Sequence, residues 1–425
     1  MLPRLFIIVF CLFAAVGCRS VERPEPASVI FLHPDGAGLS PWEAYRYLAV
    51  GPDGSTNYDK LPHVALYRGH MKDSLTGTSN GGATSHALGV KVAASSFGND
   101  AGEDVPGVRS FLLEAREAGV PIGLVNSGTL TEPGTACFVT NVKSREDHAE
   151  IARQLVASGA DVMLGGGERY FLPEGVAGRH GSGTRKDGRN LVEEARAAGY
   201  TVVFTAEELF RVPAGTTKLL GLFAALHTFN DKSEEALRRE NLPRYNATAP
   251  TLAEMTLAAL KILSRGGRQF ALVVEEEGSD NFGNAGNAGA MLEAIGRTDE
   301  TIAAIAGFIA RNPRTLMVTT CDSDAGGMRA VGLTPREFAQ WPVLPANAES
   351  GAPLDGVDGT GSAPFMAAPD RTGRRLPFAV TWTTYDDVSG GIAVKAVGYR
   401  AELVKGQMDN TEIPKVLRRV LRGEQ

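Results

Sequence analysis

Three acidic clusters follow apolar, strand-like runs. After Val29–Leu32 comes His33-Pro34-Asp35-Gly36, after Phe270–Val274 comes Glu275-Glu276-Glu277-Gly278-Ser279-Asp280, and after Leu316–Thr319 comes Thr320-Cys321-Asp322-Ser323-Asp324. In open α/β sheets the functional groups gather beyond the carboxyl ends of the strands, so Asp35, Glu275, Asp280 and Asp322 are expected to converge. Carboxylates held that close repel one another unless a cation lies among them, and a divalent-metal site is the economical reading. One such acid alone would be a solvated loop residue or a helix cap; three strand ends together favour the metal. A fourth segment, Lys72-Asp73-Ser74-Leu75-Thr76-Gly77-Thr78-Ser79-Asn80-Gly81-Gly82-Ala83-Thr84, is built of small residues entering a helix. Backbone N–H groups there are free to face an anion. A serine in that turn becomes a nucleophile if a cation lowers the pKa of its hydroxyl.

The elements that position these residues alternate between strand and helix. Strand-like runs are Val29–Leu32, Ile122–Val125, Val162–Leu164, Val202–Phe204, Phe270–Val274, Leu316–Thr319 and Phe378–Trp382. Most are continuously apolar, as strands buried on both faces of a parallel sheet are. Helices are expected over Ser110–Ala118, after the capping segment Ser144-Arg145-Glu146-Asp147 to about Ala157 with Gly159 ending it, after the capping-box spacing Thr251–Glu254, and over Ala288–Ala310. The pattern predicts an α/β fold, a doubly wound and mostly parallel sheet with helices on both faces. Gly178–Asn190 and Gly351–Arg375 read as surface loops, and no repeat or linker divides residues 28–425.

Composition narrows the classes. The chain has 425 residues, 43 Lys+Arg against 49 Asp+Glu, a net charge of −6 and 43% hydrophobic residues. That balance excludes a disordered tail protein, and no basic surplus exists to neutralise a nucleic-acid backbone. Seven histidines occur and none lies beyond His227, so chemistry in the C-terminal part must run without imidazole of its own. Residues 1–17 carry Arg4, an apolar run from Leu5 to Val16 and small residues before Cys18, the pattern of a lipoprotein signal peptide. Residues 18–27 then read as a tether. The expectation is an exported protein, periplasmic or on the cell envelope, touching membrane only through a lipid anchor at Cys18. Cys137 and Cys321 could form at most one disulfide.

Taken together, these motifs resemble the alkaline phosphatase superfamily from about Val29 to Gly398. Val29–Ser40 is similar to the family's opening strand and turn, and Asp35 falls at its metal-bridging aspartate. Counting back from Ala83-Thr84 and Gly89-Val90-Lys91 places Ser79 at the nucleophile, and Leu124–Arg145 ends at the phosphate-binding arginine, Arg145. Leu164–Pro173, and Leu219–Phe223 followed by Pro250–Thr256, look like further hallmarks. Glu275, Asp280 and Asp322 fit the magnesium glutamate and the two zinc aspartates. The departures concentrate where imidazoles belong: Asn284, Ser323 and Asp387 stand at the three zinc-histidine positions. Thr78 replaces the Asp before the nucleophile, and Gly134 replaces a magnesium-site hydroxyl.

The resemblance implies a metal-dependent phosphomonoesterase working through a phosphoserine at Ser79 on a small phosphorylated substrate, and it allows a homodimer. Oxygen ligands suit Mg²⁺, Ca²⁺ or Mn²⁺ better than Zn²⁺, though zinc stays open. Asp280, Asn284 and Asp387 form one hard-ion set; Asp35, Ser79, Asp322 and Ser323 form a second, with Asp324 in reserve. Asp35 and Glu275 would hold a third ion, with Glu132 near its waters. Slower turnover or a higher pH optimum than with zinc is the expected consequence. The competing reading is a phosphatase-like lipoprotein that binds phosphorylated or anionic ligands without turnover. His33 is near enough to Asp35 to touch the site, but a partly buried structural imidazole is the plainer reading. His86 is expected to pack, and Glu276 and Glu277 to be solvated or to neighbour Glu275.

Overall fold

β1 (Ser28–Pro34) lies inside a ten-stranded sheet in the computed structural model, which describes residues 24–425. The signal peptide and most of the tether, with Cys18, lie outside the described residues. The other strands are β2 (His63–Arg68), β3 (Ile122–Thr129), β4 (Val162–Gly166), β5 (Thr201–Val203), β6 (Leu219–Leu222), β7 (Ala271–Glu276), β8 (Thr315–Thr319), β9 (Ala393–Gly398) and β10 (Gly406–Asp409). Their order is β10-β2-β9-β8-β1-β7-β3-β4-β6-β5. Every pairing is parallel except those β9 makes with β2 and β8. This is the mostly parallel α/β sheet that the apolar runs predict.

Alternation along β1 builds both layers. Ile30 and Leu32 join the core under the helices Leu252–Leu263 and Ala288–Arg311, while Val29 and Phe31 join the core under Ser79–Leu88, Phe111–Glu117 and Ile413–Arg422. His33 is the next residue on the Val29–Phe31 face. Local chemistry sets the helix ends: Ser110 caps Phe111–Glu117, and Thr251 with Glu254 closes a full capping box. Within the capping segment Ser144–Asp147 it is Asp147 that caps the helix His148–Ser158, which Gly159 ends.

Two expectations need correction. The run Phe378–Trp382 leaves the main sheet: its strand, Pro377–Thr381, is the centre of a small antiparallel sheet with Arg329–Gly332, Leu354–Gly356 and Phe365–Met366. Residues 351–375 are therefore partly strand, because their Leu354 and Phe365 find buried partners there. Within 178–190, Arg185 is buried and donates to the carbonyls of Ala149 and Tyr170, pinning that loop to the body. Cys137 and Cys321 are both free and buried. Among the described residues, no helix is long and apolar enough to cross a membrane.

Candidate active site

The strand order β8-β1-β7-β3 puts four carboxyl ends side by side. His33 on β1 is in register with Glu275 on β7, which is in register with Asn126 on β3. Asp35 follows β1 through a turn that needs glycine next: Gly36 has φ +66°, and a Cβ there would lie 2.8 Å from Asp280 Oδ1. Asp280 and Asn284 are one helical turn apart in Gly278–Asn284. Asp387 arrives from far along the chain, on a two-residue ladder in which it pairs with Ala325.

Ser79 opens the helix Ser79–Leu88, capped by Thr78, whose Oγ1 accepts from Gly81 N at 3.2 Å and donates to Ala94 O at 2.7 Å. That first turn is pressed against Asp322: a Cβ on Gly82 would fall 2.4 Å from the aspartate's Oδ2. Arg145 donates from Nη2 to Glu132 Oε2 at 2.8 Å, and its side chain is 40% exposed. Burial acts to lower the Arg145 pKa, but the carboxylates of Glu132, Glu277, Asp280 and Asp35 outweigh it and raise it.

The electrostatics of the cluster call for a cation. Burial, and then neighbouring carboxylates, push Asp280 and Asp322 well above the usual carboxylate range, and burial raises Asp387. Glu275 is pushed up to about 7, chiefly by burial. Among the described residues, Asp35 Oδ2, both carboxylate oxygens of Asp322, Ser323 Oγ, Glu275 Oε1 and Glu277 Oε2 are buried with no hydrogen-bond partner. Buried polar atoms are normally paired, so this concentration of unpaired oxygens fits divalent ions. Two groups have the necessary proximity: His33, Asp35 and Asp322, and Asp35, Glu275 and Glu277.

Asn284 sits between Asp280 and Asp387. Its Nδ2 donates to Asp280 at 3.1 and 3.2 Å and to Asp387 Oδ1 at 3.1 Å, while its Oδ1 accepts from Gly326 N at 3.0 Å. The amide nitrogen, not the oxygen, thus faces the carboxylates. Asp324 Oδ2 is taken by Arg329 at 2.7 Å, leaving its Oδ1 without a partner. Glu276 and Glu277 are buried, not solvated; Ser127 Oγ donates to Glu276 and accepts from Glu277 N. His86 packs beneath the site with Nε2 2.8 Å from Tyr67 Oη. Asn126, which donates to Glu275 and to Thr135, was legible only as the polar residue after the apolar run Ile122–Val125.

His33 departs furthest from its expectation. It is wholly buried at the centre of the cluster: Nε2 lies 3.8 Å from Asp35 Oδ1 and 3.9 Å from Asp322 Oδ1, and Nδ1 lies 3.6 Å from Glu275 Oε1. The signal for it was strand alternation, which carries position 33 onto the same face as Glu275.

Residues 27–422 match the family model "Alkaline phosphatase". The chain belongs to the alkaline phosphatase family. The alkaline phosphatase of Escherichia fergusonii is 31% identical over 347 residues, covering 72% of this chain and 71% of that protein. The enzyme of Gadus morhua is 29% identical over 357 residues, at 72% and 71% coverage. The solved alkaline phosphatase of the Antarctic bacterium TAB5 shares the fold with a TM-score of 0.72, at 22% identity over 94% of this chain and all of that one. That of Thermus thermophilus superposes with a TM-score of 0.70 at 24% identity, covering 98% and 96%. As an alkaline phosphatase relative, the chain is supported as a phosphatase-type hydrolase, and a divalent-metal centre is in keeping with the family; a variant of the TAB5 enzyme was solved with Mg bound.

Proposed function

We propose that the protein is a divalent-metal-dependent phosphomonoesterase in which Ser79 is the nucleophile. The observation that carries this is the convergence of Asp35, Glu275 and Asp322, each with an unpaired buried oxygen, and of Asp280, beside the N-terminus of Ser79–Leu88, with the charge of Arg145 acting on Asp35 and Asp280. Asp280 and Asp387 would hold one ion, with Asn284 joining if its amide turns over. Asp35, Asp322 and Ser323 would hold a second beside Ser79, and Asp35 with Glu275 a third. Bound ions supply the positive charge that favours an ionised serine and a stable leaving oxygen.

Ser79 Oγ attacks phosphorus as the ester oxygen departs, leaving phosphoserine that water then cleaves. Arg145 holds two nonbridging oxygens in its planar fork and keeps the phosphoryl group in line. Its partner Glu132 fixes the guanidinium before substrate arrives. The oxygen-rich ligand set supports Mg²⁺, Ca²⁺ or Mn²⁺ ahead of zinc for the outer sites. The N-terminal sequence supports export and a lipid tether at Cys18, with the catalytic domain held outside the membrane; a homodimer is in keeping with the resemblance.

The test is hydrolysis of a chromogenic phosphomonoester by the purified protein with Zn²⁺, Mg²⁺, Ca²⁺ or Mn²⁺ supplied separately, beside Ser79→Ala. Serine-dependent turnover with at least one ion is expected. No such turnover with any ion overturns the enzyme and leaves the non-catalytic binder of phosphorylated ligands.

A further inference from the structure

The imidazole of His33 lies among the carboxylates of Asp35, Glu275 and Asp322, and its surroundings do not satisfy it. It is fully buried, and neither ring nitrogen has a hydrogen-bond partner. Its separations from Asp35 Oδ1 and Asp322 Oδ1, 3.8 and 3.9 Å, exceed the ~2.7–3.2 Å of a hydrogen bond. They are longer than the ~3.3 Å between tetrahedral ligands of an ion bound at ~2.0–2.1 Å, yet inside the ~4.1 Å that two ligands of one such ion can span. These donor atoms all lie within 4.8 Å of one another. The ring cannot easily turn away, because it stacks on Phe31 with centroids 5.9 Å apart and meets His86 edge-on at 5.6 Å.

The other ring nitrogen explains a second peculiarity. Nδ1 faces Glu275 Oε1 at 3.6 Å. That same oxygen occupies the space where position 134 would carry a side chain: a Cβ on Gly134 would sit 1.6 Å from it. Imidazoles that bind metals commonly present the second nitrogen to a carboxylate, which selects the tautomer and makes the ligating nitrogen more basic. The bare backbone at Gly134 thus admits the carboxylate that faces His33 Nδ1.

We propose that His33 Nε2 is a ligand, together with Asp35 and Asp322, of the cation held at the ends of β1 and β8, with Glu275 as its orienting partner. The inference rests on the metal-dependent reading above and changes its chemistry. A mixed nitrogen and oxygen set binds Zn²⁺, Fe²⁺ or Ni²⁺ in preference to Mg²⁺ or Ca²⁺. This innermost position would therefore select a transition ion even though Asp280 and Asp387 favour a hard one.

Chelator-stripped protein is titrated calorimetrically with Zn²⁺ and, separately, Mg²⁺, alongside His33→Leu and His33→Gln. Loss of an orienting partner alone typically weakens a metal ~10–100-fold, so loss of the ligand should weaken the tightest Zn²⁺ event ~100-fold or more. Mg²⁺ binding should change by less than about threefold, since that ion takes oxygen ligands. His33→Gln keeps the volume and a polar tip, and serves if the leucine variant does not fold. X-ray absorption of the zinc-loaded wild-type protein supplies a reading that needs no variant: imidazole scattering is expected. Zinc binding indifferent to His33, absence of imidazole scattering, or a wild-type protein that binds no zinc overturns the proposal. A protein that hydrolyses phosphate esters but binds zinc independently of His33 sinks this inference and leaves the phosphatase standing; His33-dependent zinc binding without hydrolysis does the reverse.

Discussion

Glu276 offers a clean probe of how the cluster is stabilised. It is fully buried next to Glu275, its Oε1 accepts from Ser127 Oγ at 2.8 Å and Gly278 N at 3.0 Å, and its Oε2 has no partner. Burial pushes its pKa from 4.5 up to about 7, against the opposing pull of the Ser127 hydrogen bond and the Arg297 charge. The folded-state value lies above the unfolded one. Stability from the neutral carboxyl is therefore full below pH ~4.5 and is lost as pH rises through about 7. That displacement corresponds to ~3 kcal/mol once the group is ionised. Glu276→Gln removes the titration and keeps the size and the oxygen that Ser127 and Gly278 address. In chelator-treated protein, thermal melts of wild type and variant should coincide near pH 5 and separate as pH climbs to 9. With an unfolding entropy of ~0.8 kcal/mol/K for a chain of this length, the variant should melt ~4 °C higher at the alkaline end. Melting curves that stay parallel across the range, or a variant that is less stable at pH 9, would refute the reasoning.

Gly134→Ala should force the Glu275 carboxylate out of the space it occupies, because the added carbon would fall 1.6 Å from Oε1. Overpacking of this kind costs ~1–3 kcal/mol, seen as a lower melting temperature and weaker zinc binding. Metal removal should destabilise the protein more at pH 8 than at pH 5, since Glu275, with its pKa near 7, and Asp280 and Asp322, raised by burial, must ionise without counter-charge. Melts with and without chelator at the two pH values check this. Arg145→Lys keeps the charge but loses the planar fork, and should raise KM for a phosphomonoester and weaken inhibition by inorganic phosphate ~10–100-fold, as loss of a charge-assisted hydrogen bond worth ~1.5–3 kcal/mol would. Unchanged phosphate inhibition would remove Arg145 from the substrate site.

The parts of the fold written in continuous apolar runs were legible. β1, β3, β4, β7 and β8 are buried on both faces, and their residue types say so. β2 was not, because His63–Arg68 lies second from the sheet's edge with Val64 and Leu66 exposed, and its residues alternate without a clear apolar face. β9 was missed because Lys395 interrupts it; that lysine is nevertheless buried, its Nζ donating to Tyr58 O at 2.8 Å. At the site, Asp35, Asp280 and Asp322 could be grouped because each follows a strand. Asp387 could be proposed only from resemblance, since the ladder with Ala325 is a contact between distant segments. His33 is hard to read from sequence for a physical reason: a lone imidazole in an apolar run reads as core until the fold brings three carboxylates beside it.

The position of β1 also bears on how the molecule comes into being. Val29 pairs with Ala271 on one side and with Leu316 on the other, so the first strand made has neither neighbour until most of the chain exists. A growing chain that has reached residue 260 already carries Ser79 and Arg145, yet has nothing to seat Asp35 between. Contacts so distant in sequence close slowly. The candidate site is therefore complete in sequence only once synthesis has passed Asp387, the last of its residues.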